Sequence, residues 1–216
     1  MDSRLLTENV YNSLKDDILS SRIKPGERLT ELQLADKYNV SRAPVRDAII
    51  RLKQEGLIFV KPQIGTVVSP ISLKKAEDVL QVRLLIEPYA AEVAVQKIDS
   101  AGLEKLEFAY FKFQKRKTDP EEAQDSFFDL DSELHKTVRE WCGNTEIRRI
   151  LEMYRNEIDR IRIYSSETVS PLRWVPSEEE MEELYEAFRK RIPEKANTSM
   201  YKHLSHILEN IKLIDS

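Results

Sequence analysis

The sequence is poor in cysteine, glycine and histidine: of 216 residues, one is cysteine, five are glycine and three are histidine. The single cysteine, Cys142, excludes an internal disulfide, and we expect it to be a buried thiol. No apolar run approaches the roughly 20 residues that a membrane span needs. The first residues also lack the apolar stretch of a secretory signal. These absences favour a cytoplasmic protein without a membrane partner.

The chain also lacks a net positive charge, because 34 basic residues are outnumbered by 38 acidic ones and the formal net charge is -4. This net charge is unevenly distributed along the chain. Residues 1–70 carry 11 basic and 9 acidic residues, whereas residues 71–216 carry 23 and 29. Binding to phosphates needs a local basic surface, not a basic chain. The asymmetry has the sign expected of a DNA-binding head on an acidic body.

The few glycines and the 33% of charged residues predict a mainly α protein. Apolar spacing predicts a first helix over residues 7–21. A second helix should begin at Thr30, which with Gln33 forms a capping-box pattern. Ser41 is a suitable N-cap for a third helix, and Pro44 falls in its first turn, where a missing N–H costs little. This third helix is predicted to end near residue 54.

Two β-branched runs, 57–61 and 65–69, flank a turn that ends at Gly65 and predict a two-stranded wing. Residues 1–70 therefore read as a winged helix-turn-helix domain, with three helices and the wing. Residues 71–216 are predicted to form an all-helical bundle of about six helices. Those helices are expected near 73–97, 100–117, 120–141, 144–165, 177–191 and 194–213, with an irregular segment over 166–176.

The third helix has the pattern of a DNA-reading element. One face is apolar and an adjacent open face carries Arg42, Arg46 and Lys53. Arg42 and Arg46 are four residues apart and point the same way. Arginines at the start of such a helix can bind guanine edges or phosphates. Ser41 can add a phosphate contact, and Gly65 permits close approach of the wing to a sugar-phosphate backbone.

The stretch IKPGERLTELQLADKYNVSRAPVRDAIIRLKQEGLIFVKPQIGTVVSP resembles the winged-helix domain of the GntR superfamily of bacterial regulators. The resemblance implies operator binding as a homodimer, with Arg42 and Arg46 as readers and with Arg51 and Lys53 as candidates for phosphate contact. Lys24 and Arg28 are weaker candidates.

The helical region resembles the FadR branch of that superfamily, with its all-helical effector-binding FCD domain. The resemblance lies in VRLLIEPYAAEVAV, DLDSELHKTV, Asn144 and MYKHLSHI. Many members bind a divalent metal there through one Asp and three His. The matching residues are Asp131, His135 and His203, but the remaining histidine position holds Met181.

Zinc, nickel and manganese prefer imidazole and carboxylate to a thioether, so three alternatives stay open. The metal is held by Asp131, His135 and His203 with water or effector, or His206 assists, or the site is metal-free. The resemblance also implies that Arg83 faces a carboxylate effector; its alternative is a salt bridge to Glu87. Arg160 and Arg162 could line the same cavity or form a solvated face.

Together these features predict a ligand-responsive regulator, expected to be a repressor, that senses a small carboxylate metabolite. A first alternative is a metal-free sensor of a longer acyl or aromatic ligand. A second is a metal-dependent hydrolase fused to a DNA-binding head. No additional placed base or nucleophile supports the hydrolase, so we expect a regulator and not an enzyme.

Overall fold

The computed structural model describes residues 3–119, 122–160 and 178–214. The chain forms two compact units. The described part of the first comprises residues 3–73 and 155–160, and that of the second comprises 74–119, 122–154 and 178–214. The sequence analysis placed the boundary after residue 70 and did not assign 155–160 to the first unit.

The first unit has the element order of a winged helix. Helices α1 (Ser3–Leu19), α2 (Glu31–Tyr38) and α3 (Arg42–Gln54) precede strands β1 (Ile58–Lys61) and β2 (Gly65–Val68). The strands are antiparallel, with Ile58 opposite Val68 and Lys61 opposite Gly65. This confirms the predicted three helices and two-stranded wing.

The core of the first unit explains why α3 presents its basic face outward. One apolar face of α3 is buried among side chains of α1, α2 and the wing, while Arg42, Arg46 and Lys53 are exposed. The buried members of α3 form one face, as predicted: Pro44, Val45, Ala48, Ile49 and Leu52.

The two predicted N-caps differ in their side-chain bonds. The Thr30 hydroxyl accepts from the Gln33 backbone N–H at 3.2 Å and donates to Gln33 Oε1 at 2.8 Å. The Gln33 amide therefore bonds the hydroxyl of Thr30 and not its backbone N–H. Ser41 occupies the N-cap of α3 in an extended conformation, but within the described residues its side chain makes no capping bond.

The second unit is helical. Its helices are α4 (Leu73–Lys97), α5 (Ser100–Arg116), α6 (Ala123–Trp141), α7 (Thr145–Met153), α8 (Glu178–Arg189) and α9 (Pro193–Ile214). No helix in the described ranges is long and apolar enough to cross a membrane. Cys142 is buried, as predicted, and its sulfur lies 3.3 Å from the carbonyl oxygens of Arg139 and Asn144.

Three helix boundaries differ from the prediction. Helix α1 begins at Ser3 and not at residue 7. The helix predicted over 144–165 is interrupted at Tyr154, whose φ of -97° and ψ of 0° end α7, and residues 155–160 are helical again. Pro193, expected as a break, is instead the first residue of α9. The predicted irregular segment 166–176 and Arg162 lie outside the described residues.

A buried carboxylate, Asp17, joins α1 to α2. It accepts from Tyr38 Oη at 2.8 Å and Arg22 Nε at 2.6 Å, and its other ion pair is to Lys37 Nζ at 2.7 Å. Burial alone would raise the pKa of Asp17, but the bonds from Lys37, Arg22 and Tyr38 outweigh it and lower the pKa. Asp17 therefore stabilises the winged helix in its ionised form.

Substituting Asp17→Asn should reduce the free energy of unfolding of the first unit by about 1–3 kcal/mol at neutral pH, because three donors lose a charged acceptor. The pKa of Asp17 is lower in the folded state than in the unfolded state, where it is about 3.9. Its ionised form therefore contributes its full stability above the unfolded pKa, and this contribution is lost as the pH falls through the folded pKa. The difference from wild type should thus shrink below about pH 4. Urea unfolding from pH 3 to 7 measures it. Asp16→Asn, on the exposed neighbouring carboxylate, is the control, and equal effects of both variants would contradict this role.

Candidate nucleic-acid and metal-binding sites

The exposed start of α3 carries a paired arginine. Arg46 Nε and Nη2 each lie 3.0 Å from one carboxylate oxygen of Glu31, the first residue of α2. The Arg46 side chain is 63% exposed, so the pair lies at the surface. Arg42 on the preceding turn is also exposed. The structure thus brings two of the predicted DNA readers to one open face, and it adds a carboxylate beside one of them.

The remaining predicted DNA contacts lie in different surroundings. Arg51 forms an ion pair with Glu8 at 2.6 Å, and its guanidinium lies 3.7 Å from the centroid of the Tyr11 ring. It is therefore held against α1. Lys53 and Ser41 are exposed.

The wing tip is close to a further basic residue. Gly65 has a φ of +102°, which favours glycine. A Cβ built on Gly65 would lie 3.9 Å from Arg28 Nε, and Arg28 itself pairs with Val67 in an isolated β-bridge. Arg28 was a weaker candidate for DNA contact in the sequence. The structure places it beside the wing with its side chain exposed.

A buried cluster in the second unit brings together the three residues expected to bind metal. Asp131 and His135 lie one turn apart on α6, and His203 lies on α9. Asp131 Oδ1 is 3.0 Å from His203 Nε2 and 3.5 Å from His135 Nε2, and the two Nε2 atoms are 3.2 Å apart. All three side chains are buried.

These distances fit a metal ion. Two ligands at about 2.1 Å from one ion, separated by roughly 90–109°, lie about 3.0–3.4 Å apart. The three observed separations span nearly this range, and Asp131, His135 and His203 are the one group of such ligands found among the described residues. Carboxylate oxygen and imidazole nitrogen suit zinc, nickel or manganese. The spacing and the chemistry of these side chains therefore suit a divalent ion.

The other nitrogen of His135 faces a buried ion pair. Glu87 Oε1 lies 2.6 Å from His135 Nδ1, and Glu87 Oε2 accepts from Arg83 Nε at 2.6 Å. Arg83 Nη2 lies 3.0 Å from the same Nδ1. Because Nδ1 cannot both donate to Glu87 and accept from Arg83, we take the shorter contact as the hydrogen bond. Nδ1–H then donates to Glu87, which leaves Nε2 as the atom available to a metal.

Burial and neighbouring charges together shift the pKa values of the two buried histidines in opposite directions. Burial by itself would raise the pKa of Glu87, but Arg83 and His135 outweigh it and lower that pKa. Burial would lower the pKa of His135, yet Glu87 and Asp131 outweigh it and raise it. For His203 burial dominates, and the pKa is lowered. Glu87 is therefore ionised, and His203 favours the neutral form that binds metal.

A second carboxylate lies behind His203. Glu180 Oε2 is 3.9 Å from His203 Nδ1, and Glu180 Oε1 is 3.2 Å from His206 Nδ1. Met181, which occupies the position of the expected histidine, is fully buried on α8. His206 thus contacts Glu180, and the ligand group of the described residues does not include it.

Sequence reasoning missed the roles of Glu31, Glu87 and Glu180. In the sequence, Glu87 was noted only as a possible partner of Arg83. Its position in an otherwise apolar stretch of α4 could have indicated a buried carboxylate. Glu180 belongs to a run of acidic residues in which nothing distinguishes it, and Glu31 is 15 residues from Arg46. Arg160 is buried, and a guanidinium nitrogen donates to the Ser69 carbonyl oxygen of the first unit.

Comparison with known proteins identifies the family. The family described as "Bacterial regulatory proteins, gntR family" matches residues 6–68, and the FCD domain matches residues 78–206. The chain belongs to the GntR family, with an FCD domain. It is 29% identical to the transcriptional repressor RspR of Escherichia coli K12, over 97% of this chain and 90% of that protein. It is 30% identical to the regulator LutR of Bacillus subtilis, over 88% and 94%.

Solved structures agree on the fold of this GntR protein. E. coli McbR/YncC superposes with a TM-score of 0.77 at 20% identity, over 98% of this chain and 99% of that one. A GntR regulator from Rhodococcus sp. RHA1 gives 0.76 at 20% identity, over 98% of both chains. The protein is a transcriptional regulator and not an enzyme, as predicted, and the hydrolase alternative is set aside.

Substituting Arg83→Met should destabilise the second unit by about 3–5 kcal/mol, because it leaves the Glu87 carboxylate buried beside His135 without its cation. Urea unfolding followed by far-ultraviolet circular dichroism measures the loss. Lys74→Met is the control, since it breaks an exposed pair of the same i,i+4 spacing on the same helix, with Asp78. We expect that control to unfold as wild type does. An Arg83→Met variant of wild-type stability would show that Glu87 is not held by Arg83.

Proposed function

We propose that this regulator binds operator DNA as a homodimer and releases it when a small carboxylate metabolite occupies the helical domain. The observation that carries the sensing half of the proposal is the convergence of Asp131, His135 and His203 ligand atoms within hydrogen-bonding distances of one another. Such a cluster is suited to a divalent metal. Because the effector releases the protein from its operator in this proposal, the regulator acts as a repressor.

A bound metal would be held by three side chains from this chain. Three protein ligands would leave at least one coordination position of the ion unfilled. The ion is a Lewis acid, so a carboxylate oxygen of the effector could bind at that position. Glu87 keeps His135 in the required tautomer through Nδ1. An effector carboxylate would be taken up at a coordination position that Asp131, His135 and His203 leave unfilled.

Arg83 takes a different part in this proposal. Its guanidinium is bound to Glu87 at 2.6 Å inside the core. Arg83 is therefore already engaged as a structural partner of Glu87. We assign carboxylate binding first to the metal, and only a secondary contact to Arg83.

The DNA half of the proposal rests on the open face of α3. Arg42 and Arg46 at the start of the helix read bases, and Ser41 and Lys53 contact phosphates together with the wing at Gly65. Arg51 joins the phosphate contacts only when its pair with Glu8 opens. One DNA-binding domain with so few contacts should bind weakly. A dimer that engages two operator half-sites therefore supplies the affinity.

A metal-free sensor is the second candidate. Met181 supports it, because a buried thioether stands where the family has a ligand and is better suited to an apolar acyl or aromatic group. The two candidates differ in metal content, which can be measured without knowing the effector.

Substituting Arg46→Ala should weaken binding to a selected operator roughly 5- to 150-fold, the loss of one bidentate base contact. Fluorescence anisotropy with the full chain measures the dissociation constant. Arg149→Ala is the control: its side chain is also exposed, at 67%, and also pairs with a glutamate, but on α7. The proposal predicts wild-type affinity for that control. Equal affinities of Arg46→Ala and wild type would remove Arg46 from the readers.

Protein purified without chelators should contain close to one equivalent of a transition metal. His203→Ala should weaken metal binding roughly tenfold or more, whereas His206→Ala, one turn away, should retain it. Mass spectrometry of metal content and equilibrium dialysis provide both values. Less than about a tenth of an equivalent in wild type, with no uptake of added zinc, nickel or manganese, would favour the metal-free sensor.

A further inference from the structure

Glu31 places a negative charge on the surface that the proposed function assigns to DNA. A carboxylate there opposes attraction to phosphates, which supplies much of the affinity of DNA-binding proteins. It also contributes little to stability, because exposed ion pairs are worth little. General attraction to DNA therefore does not account for this carboxylate, and its pair with Arg46 adds little to folding.

The geometry of the pair leaves one edge of the guanidinium open. Arg46 has five N–H groups. Glu31 accepts one from Nε and one from Nη2, each at 3.0 Å. Among the residues that the structure describes, no partner is seen for the two N–H groups of Nη1 or for the second N–H of Nη2. The open edge thus presents one N–H from each terminal nitrogen, which is the arrangement that binds guanine O6 and N7 together.

The position of Glu31 is itself well defined. It is the first residue of α2, directly after the Thr30 cap that bonds to Gln33. A carboxylate in the first helical turn is favoured by the helix dipole. Arg46, in turn, projects from α3, whose apolar face is buried in the core of the head. Both ends of the pair therefore start from packed helices, even though the side chains are exposed.

We propose that Glu31 is a positioning residue that holds Arg46 side-on, so that its open edge reads a guanine in the operator. The proposal rests on the proposed function, in which α3 reads bases. An arginine oriented before binding loses less rotamer freedom when the base contact forms. Glu31 thus raises sequence selectivity at the expense of general attraction to DNA.

The test uses the full chain and duplexes selected in vitro with wild type. Dissociation constants are measured by fluorescence anisotropy on three kinds of DNA: the selected duplex, a scrambled duplex of equal length, and selected duplexes with 7-deazaguanine at each guanine in turn. The variants are Glu31→Ala and Asp47→Ala. Asp47 is exposed and adjacent to Arg46 in sequence, so its loss removes the same charge without the bidentate contact.

Both variants should bind the scrambled duplex somewhat more tightly, since each removes a negative charge. Glu31→Ala alone should lower the ratio of selected to scrambled affinity roughly 5- to 50-fold. Its penalty for 7-deazaguanine at the position read by Arg46 should fall from roughly tenfold in wild type to about twofold or less. In an Arg46→Ala background, Glu31→Ala should leave the ratio unchanged.

Three outcomes overturn the inference. A wild-type ratio in Glu31→Ala shows that Arg46 reads DNA without its partner. An equal drop in Asp47→Ala shows that charge alone is responsible. If wild type shows no selective binding, the proposed function fails together with the inference. The first two outcomes contradict only the role of Glu31.

Discussion

A chain of buried hydrogen bonds from Arg83 through Glu87 to His135 determines how the helical domain can bind its ligand. Charges inside a protein are costly unless they are paired with good geometry, and Glu87 meets that requirement with contacts of 2.6 Å on both sides. Because Nδ1 of His135 is directed to Glu87, Nε2 is directed to Asp131 and His203. The orientation of His135, one of the three candidate ligands, thus follows from one ion pair within α4.

The same residue types have different consequences at the surface. Arg83–Glu87 and Arg46–Glu31 are both arginine–glutamate pairs at hydrogen-bonding distance, but the first is buried and the second is exposed. The buried pair holds a histidine, whereas the exposed pair is weak in energy and leaves an edge of its arginine open. The first 70 residues carry 11 basic residues against 9 acidic ones, so the head has only a small excess of positive charge for DNA. Orientation of those basic residues is then a more economical source of selectivity than additional charge.

The sequence predicted the elements better than the contacts between them. Caps, turn glycines and β-branched runs are local signals, so the winged helix was predicted from Thr30, Pro44 and Gly65 with nearly correct boundaries. The Asp131–His135 spacing is also local, and the structure brings His203 to it. Glu31–Arg46 and Glu87–His135 are 15 and 48 residues apart, and such pairings depend on tertiary packing that no periodicity reveals. The break at Tyr154 was missed because neither proline nor glycine marks it.

We infer that Asp131, His135 and His203 form a metal site in which the missing third histidine is not replaced by a sulfur ligand. X-ray absorption spectroscopy of the full chain with one equivalent of zinc tests it directly. The account predicts two imidazoles and oxygen neighbours, with nitrogen and oxygen at about 2.0–2.1 Å. A sulfur neighbour at about 2.3 Å, or zinc without imidazole ligands, would contradict it.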